Sequence, residues 1–535
     1  MSLSYRLARI VGMVSAAFLA VLLAGVGAGA PAAAAASIVV GLQAEPTALD
    51  PHQISDYNSS RATMGMYDSL LRFKDGSTEL EPGLAQSWTV SKDGLVYTLK
   101  LRRGVRFHDG TPFDADAVVF NIQRQIDPSH PYHQTGTFPY AEFTFGKVKR
   151  VEKVDAYTVR FVLEQRYAPF LANLAMHAAA MVSPAAIRKY GKEIAKHPVG
   201  TGPFRFVRWT PGVEVVVERN PDYWDKARVP RIQQVVYRPV VEDQTRLAQL
   251  EAGELDFIVN VPPDDLPRLR SDARWQVIEQ PGMHIWYLVL NNQKPPFNDV
   301  RVRRAVNYAI NRRAIVEGIL KGTGVLADNY IPPVLWGYDE EVHAYPYDPE
   351  KARQLLAEAG YPKGLSVDFW VPQSGSGMQQ PVAMAQAIQS DLAKVGIRVN
   401  IQTFEWGTYL DKVFASDPAQ VAEMHEMSWV GDNGDPDNFL YILLSGHQWP
   451  PNGFNESFYR NPEVDRLLVA AQQSSDRTER AGLYKRAQAL IMRDAPWVPF
   501  DHETQIVVAR KEIQGFVLHP TGVFRFETVR LQGQE

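Results

Sequence analysis

The feature that most constrains the fold is the alternation of apolar strand-like segments with amphipathic helices across residues 285–415. Strands are predicted at 285–290, 365–371 and 397–402, and helices at 299–321, 350–359, 378–395 and 406–415. Strands that alternate with crossover helices form a largely parallel sheet. We therefore predict an α/β structure for the second half of the chain.

The first half of the chain is richer in strands. A first strand is predicted at 37–42, and Asp93-Gly94 lies between two β-rich runs as the turn of a hairpin. Helices are predicted at 61–73 and 114–125. A chain of 535 residues is too long for one compact core, and there is no low-complexity linker, so two or three tightly joined lobes are expected.

The first 36 residues have the pattern of a secretory signal. Arg6 and Arg9 precede an apolar stretch at 10–30, which leads into small residues ending at Ala36. The alternative is a transmembrane anchor, because about 20 apolar residues can span a bilayer. We predict cleavage after Ala36 and export of a soluble protein, and the absence of Cys excludes a lipid anchor on an N-terminal Cys.

Composition and motifs give no indication of an enzyme. The chain has no Cys, which excludes a disulfide scaffold, a Cys nucleophile and an iron–sulfur cluster, and its net charge of −4 offers no basic footprint for nucleic acid. Phosphate-binding, dinucleotide-binding and H-E-x-x-H motifs are missing from the sequence. The acidic loop that begins at Asp432 does not fit a calcium loop, since Leu443 stands at its twelfth position. We expect no catalytic residue, cofactor or metal.

Five stretches carry a specific resemblance. They include GLAQSW and FHDGTPF within 83–120, GTGPF and NPDYW within 200–224, VRRAV within 302–312, YDPEKA within 347–360, and EWGTY and WVGDNGDPDNF within 405–439. In this order they resemble the family 5 extracellular solute-binding proteins of ABC importers, which bind peptides, dipeptides and nickel, and the last stretch is most similar to the dipeptide-binding members.

The resemblance implies a two-lobe periplasmic-binding-protein fold of type II, similar to cluster C. Lobe 1 would comprise 37–285 plus 504–535, with an extra domain inserted at about 70–195, and lobe 2 would comprise 286–503. Hinges are expected near 284–291 and 496–504. It further implies a periplasmic monomer whose lobes close on a solute and which then docks on the permease of an ABC transporter with cytoplasmic ATPases.

The resemblance also implies a binding site. Asp432 stands where dipeptide binders place the carboxylate that pairs with the ligand's α-amino group. Gly431 and Val430 would bring backbone close to the ligand, and Trp429 would form an apolar wall. From the residues alone, Asp432 caps a turn in a loop rich in Asp, Gly, Pro and Asn.

Two further residues are candidates on this resemblance. Ser55 falls where dipeptide binders use a small hydroxyl residue near the cleft. Trp406 either lines the ligand or belongs to the core.

One loop departs from the family pattern. Gly375 and Gly377 stand where dipeptide binders hold the ligand carboxylate with an Arg followed by a Tyr, and Ser376 lies between them. The segment 365–393 contains neither Arg nor Lys. Backbone N–H groups could bind an anion there, the ligand could lack a carboxylate, the cavity could be larger, or an Arg could come from elsewhere.

The predicted ligand is a peptide or an amine-bearing small solute. A metal chelate or haem is the alternative within the same class of function. A secreted hydrolase, or a sensor that binds another protein's surface, is the alternative from a different class.

Overall fold

A large mixed sheet dominates the computed structural model, which describes residues 36–533. In chain order the strands of this range are β1 (Ser37–Leu42), β2 (Leu71–Phe73), β3 (Leu80–Pro82), β4 (Ala85–Val90), β5 (Val96–Leu101), β6 (Val148–Asp155), β7 (Thr158–Leu163), β8 (Phe204–Thr210), β9 (Glu214–Arg219), β10 (Gln234–Pro239), β11 (Phe257–Val259), β12 (Trp275–Pro281), β13 (His284–Leu290), β14 (Gly324–Leu326), β15 (Leu365–Pro372), β16 (Ile397–Phe404), β17 (Met424–Val430), β18 (Trp497–Arg510), β19 (Ile513–Gln514) and β20 (Arg530–Leu531). The large sheet has the order β16-β15-β17-β13-β18-β11-β1-β10-β9-β8, with β12 and β14 also paired to β18.

Strand direction changes along this sheet. β15 pairs in parallel with β16 and β17, whereas β13 and β18 run antiparallel to their neighbours. The prediction of a largely parallel second half therefore holds only for β15–β17, because hydrophobic periodicity does not encode strand direction.

β18 is the longest strand and joins two parts of the sheet. Its first residues pair with β13 and its last with β12 and β11. Gly282 lies between β12 and β13, and its N–H donates to the Glu503 carbonyl at 2.9 Å. A Cβ at Gly282 would stand 2.7 Å from that oxygen, so only glycine allows the two segments to approach this closely.

Helices pack on both halves of the sheet. In chain order the α-helices of the described range, apart from short 3-10 and π turns, are α1 (Tyr57–Thr63), α2 (Ala115–Ile126), α3 (Ala141–Phe145), α4 (Phe170–Asn173), α5 (Pro184–Tyr190), α6 (Asp243–Ala252), α7 (Leu266–Ser271), α8 (Val300–Ala309), α9 (Arg312–Ile315), α10 (Pro349–Glu358), α11 (Pro381–Ala393), α12 (Trp406–Val413), α13 (Asp437–Leu444), α14 (Pro462–Gln473) and α15 (Arg477–Asp494).

Side-chain caps explain why the predicted bounds of two helices were wrong. The helix predicted at 61–73 begins earlier, because the Asp56 side chain accepts from the Ser59 N–H, and the chain has become a strand by Leu71. The helix predicted at 299–321 is interrupted, since the Asn311 side chain caps a new helix by accepting from the Ala314 N–H.

The buried apolar side chains form separate clusters. The largest draws mainly on residues 283–500. Two others combine residues from 38–275 with residues from 506–529. A further cluster lies within 70–181, beside the separate four-stranded sheet β4-β5-β7-β6. The buried apolar core is therefore divided into several clusters.

The N-terminal prediction concerns residues that the structure does not describe, apart from Ala36. From Ser37 the chain forms one compact unit. Within 36–533, no helix has both the length and the apolar character required to cross a membrane.

Candidate ligand-binding site

Asp432 projects from the loop that follows β17. The N–H of Gly431 donates to the Met283 carbonyl at 2.6 Å, and a Cβ at Gly431 would stand only 2.7 Å from the Phe439 ring. The Asn438 side chain accepts from the Asp432 N–H at 3.1 Å and from the Trp429 indole at 2.9 Å. These contacts fix the direction in which the Asp432 carboxylate points.

The end of the same loop is anchored by a buried ion pair. Asp435 lies 2.7 Å from the Arg480 guanidinium of α15, and Asp437 begins α13. Asp435 is therefore more than the turn residue that its sequence context indicates.

The Asp432 carboxylate lies in an aromatic environment. The Tyr140 hydroxyl donates to Asp432 Oδ2 at 2.9 Å, and the Tyr140 ring stacks on Trp429 with 6.2 Å between centroids. Burial raises the pKa of Asp432 to about 7, and the surface it retains faces enclosed cavities. Within the described chain, no Lys, Arg or His side chain forms an ion pair with Asp432.

A small cavity of about 50 Å³ lies beside this carboxylate. Its walls are Ser55, Asp56, Tyr57, Ser60, Tyr140, His177, Ser376, Trp406, Leu410, Phe414, Met427, Ser428, Trp429, Val430 and Asp432. Six of the nine residues proposed from the sequence are thus brought together around it. Among the described residues that line the cavity there is no Lys or Arg.

The three glycines proposed from the sequence lie next to this cavity without lining it. Gly431 supports the Asp432 loop, as described above. The Gly375 carbonyl accepts from the Gln43 side chain, and the Gly377 carbonyl accepts from His284 Nε2 at 2.6 Å. Their backbone oxygens therefore hold the loop in place.

Packing explains the missing Arg. A Cβ at Gly375 would stand 3.0 Å from the Trp406 ring, and Gly377 has a positive φ of 69° that disfavours other residues. Ser376 holds the loop to α1 by accepting from the Tyr57 N–H at 2.9 Å. A larger side chain at residue 375 would require Trp406 to move.

Sequence reasoning missed His177 as a site residue. The His177 ring contacts Tyr140 edge-on at 4.4 Å, and the side chain lines both this cavity and a neighbouring one of about 90 Å³ that also reaches Asp432. Burial lowers the pKa of His177 to about 4, so the ring is neutral at pH 7. One ring nitrogen is hydrogen-bonded to the Ile54 backbone, and Nε2 has no partner in the described part of the protein.

A buried ion pair supports the segment that carries Ser55 and Asp56. Arg124 of α2 lies 2.7 Å from Asp50, and both side chains are fully buried. The Arg124 guanidinium also contacts His52 and Thr135. Although burial raises the pKa of Asp50, the charge of Arg124 outweighs this effect and the pKa falls to about 2.

A cavity lined mainly by apolar and aromatic side chains, with a few convergent polar groups such as Asp432, is typical of a small-molecule binding site. The family described as bacterial extracellular solute-binding proteins, family 5 (middle), matches residues 79–451. The chain belongs to this family. The family membership, the two-lobe α/β fold and the solute-binding class of function predicted from the sequence are therefore confirmed.

Individual relatives cover almost the whole chain. Heme-binding protein A of Haemophilus influenzae is 40% identical over 496 residues, covering 90% of this chain and 89% of its own. The dipeptide-binding protein of Escherichia coli K12 is 38% identical over 488 residues, covering 88% and 90%. The solved DppA of Helicobacter pylori, in complex with the peptide STSA, has a TM-score of 0.86 at 36% identity and covers 93% and 98%. The family consists of binding proteins rather than enzymes, and its members are periplasmic.

Proposed function

We propose that this protein is the substrate-binding component of an ABC importer and captures a peptide or another amine-bearing solute. The observation that carries the proposal is Asp432, a carboxylate without a cationic partner among the described residues, on the wall of a small, largely buried cavity. Burying an isolated carboxylate is unfavourable, and a ligand ammonium group would restore its charge through charge-assisted hydrogen bonds. Trp429, Val430, Ser55 and Trp406 would form the remaining walls.

The separate core clusters support the lobe limits inferred from the resemblance. We assign 37–285 plus 504–535 to lobe 1, with an inserted domain at about 70–195, and 286–503 to lobe 2. The pairs Tyr140–Asp432 and Asn173–Asn433 then bridge the two lobes, with oxygen–oxygen and nitrogen–oxygen distances of 2.9 and 2.7 Å. These contacts are those of a closed form.

The partners and the location follow the same proposal. The loaded protein would work as a monomer in the periplasm and deliver its solute to the permease subunits of the transporter. Export would depend on the signal sequence that ends at Ala36. Mass spectrometry of the exported protein tests this point, since an N-terminus at Ser37 is expected and an intact Met1 would contradict it.

Direct identification of the solute tests the function. The exported protein is purified without refolding, and small molecules released by denaturation are identified by mass spectrometry. Each compound is then titrated calorimetrically into protein that has been stripped by unfolding and refolding. A peptide or other primary amine is expected, and binding only of compounds without an amine would contradict the proposal.

Haem is the second candidate, because a 40% identical relative is named a heme-binding protein. Within residues 36–533, no group of three or more His, Cys, Asp and Glu side chains is placed to hold a metal ion. Titration of the stripped protein with haemin, followed by the Soret absorption, separates the two candidates. A saturable Soret shift together with no response to peptides would favour haem.

The affinity for an amine-bearing peptide is expected to fall as the pH is lowered from 8 to 5. Burial in the closed form raises the pKa of Asp432 to about 7, and an ammonium partner would lower it in the complex. Protonated Asp432 must then release a proton on binding, so Kd rises by up to about tenfold per pH unit below 7. Calorimetry across this pH range measures the effect, with Asp432→Asn as the control. A Kd that does not change with pH in the wild type would contradict the expectation.

His177 is expected to contribute a second acceptor for the ammonium group. His177→Phe keeps a ring against Tyr140 but removes Nε2, and should weaken peptide binding by about tenfold. His177→Gln places an amide oxygen near the same position and should recover part of the loss. Calorimetric Kd values for both variants check this, and unchanged affinity of His177→Phe would remove His177 from the site.

A further inference from the structure

The cavity beside Asp432 is too small for a whole solute. Its volume is about 50 Å³, and roughly 10–15 Å³ is needed for each water molecule. It therefore has space for an ammonium group and its first carbon atoms. A dipeptide is already larger than this, so most of any peptide must lie outside the cavity.

The charges around the cavity lead to the same conclusion as its volume. Its charged side chains are Asp56 and Asp432, and, of the described residues, no Lys or Arg lines it. The cavity can thus satisfy a cation but offers no charged partner to a carboxylate. The far end of a peptide is better placed elsewhere.

Two larger spaces share wall residues with this cavity. A cavity of about 90 Å³ shares His177 and Asp432 and is also too small for most of a peptide. An open cleft of about 1320 Å³ shares Ser55, Leu410 and Phe414. We call these three residues the neck.

The neck residues line the cleft and are accessible from it. Ser55, Leu410 and Phe414 are partly exposed, as are Val430 and Asp432, whereas the other residues of the cavity wall are buried. The cleft beyond them is lined by parts of 123–151 and by residues of α12 and 451–454. Unlike the cavity, the cleft has both cationic side chains, Lys149 and Arg150, and acidic ones, Asp127, Glu142 and Asp411.

We propose that the bound solute extends through the neck, with its amine at Asp432 and its tail in the open cleft. This inference rests on the proposed function and narrows it. The solute class is a peptide of three or more residues, or a shorter amine with a bulky group in place of the carboxylate. The closed lobes then enclose only the amine end of the ligand.

Peptide length provides the test. Calorimetric Kd values are measured for the alanine peptides from two to six residues, each as free acid and as C-terminal amide. Affinity should rise by at least tenfold from the dipeptide to the tetrapeptide or pentapeptide. The amides should show the same rise with length, because the group recognised in the cavity is the ammonium at the other end of the peptide.

A variant of the neck locates the tail. Leu410→Trp narrows the neck, and it should weaken the binding of the tetrapeptide and the pentapeptide by more than tenfold. Ethylamine fits inside the cavity and should lose less than threefold. Leu410→Met keeps a similar volume and serves as the matched control. An equal loss for ethylamine and for the pentapeptide would overturn the inference.

A second measurement uses only the wild-type protein and therefore does not depend on the folding of a variant. A pentapeptide with a fluorescein group on its C-terminal end is bound to the wild-type protein and quenched with iodide. The dye should remain accessible to iodide, whereas a shielded dye would overturn the inference. If short peptides bind best and long ones are rejected, the inference fails and the proposed function stands. If neither a peptide of any length nor any amine-bearing compound released by denaturation binds, both fail.

Discussion

Asp432→Asn should weaken the binding of an amine-bearing peptide by about 30-fold to several thousand-fold, equivalent to about 2–5 kcal/mol. The amide keeps the size and a hydrogen-bond acceptor but cannot carry the charge that faces the ligand ammonium. Because Tyr140 can still donate to the amide oxygen, the loop should keep its position. Calorimetric Kd values for the wild type and the variant measure the loss.

Asp437→Asn is the matched control for this experiment. Asp437 lies in the same loop region, and its pKa is also raised to about 7, chiefly by burial, but its side chain does not line the cavity. Its replacement should leave affinity unchanged. An N-acetylated peptide supplies a second control, since it should bind the wild type as weakly as it binds Asp432→Asn. Equal affinity of both proteins for the free amine would exclude Asp432 from recognition.

Arg124→Met should lower the free energy of unfolding by about 3–5 kcal/mol, the usual effect of leaving one member of a buried ion pair without its partner. Asp50 would then be a buried carboxylate without a compensating charge. The double variant Asp50→Asn with Arg124→Met should regain most of the stability, because it removes both charges. Denaturant unfolding at pH 7 measures all three proteins.

The dependence of the unfolding free energy on pH in the acidic range gives an independent check on the Asp50–Arg124 pair. The pKa of Asp50 is lowered to about 2 from an ordinary 3.8, so its contribution is complete above about pH 4 and is lost as the pH falls through 2. The double variant should therefore lose less stability over this range than the wild type.

The exposed pair Arg313–Glu317 is the control, since Arg313→Met should cost less than about 1 kcal/mol. A loss of unfolding free energy as large for Arg313→Met as for Arg124→Met would contradict the prediction.

Much of the fold was accessible from local sequence signals. Asp93-Gly94 forms the turn between β4 and β5, and the aspartates at 114, 299 and 348 cap the helices that follow them. These signals act over a few residues. The direction of β13 and β18, by contrast, depends on pairing between segments that are about 200 residues apart, and local periodicity contains no information about it.

The same distinction applies to the candidate site. The loop around Asp432 could be selected because its residues are contiguous and resemble a known family. Tyr140, however, is 292 residues away from Asp432 in sequence, and His177 has an unremarkable apolar context. The steric reason for Gly375 is the ring of Trp406, which only the folded chain brings to it. Contacts between distant segments therefore define the part of the site that the sequence did not reveal.

The close backbone contact between Gly282 and Glu503 limits how the proposed lobes can move. If these two segments connect the proposed lobes, their hydrogen bond holds them side by side, and we expect the lobes to rotate about a single axis. Few relative orientations would then be available to the open form, so that little rotational entropy would be lost on closure. A ligand that is bound only through its amine end would then stabilise the closed form with a small number of contacts.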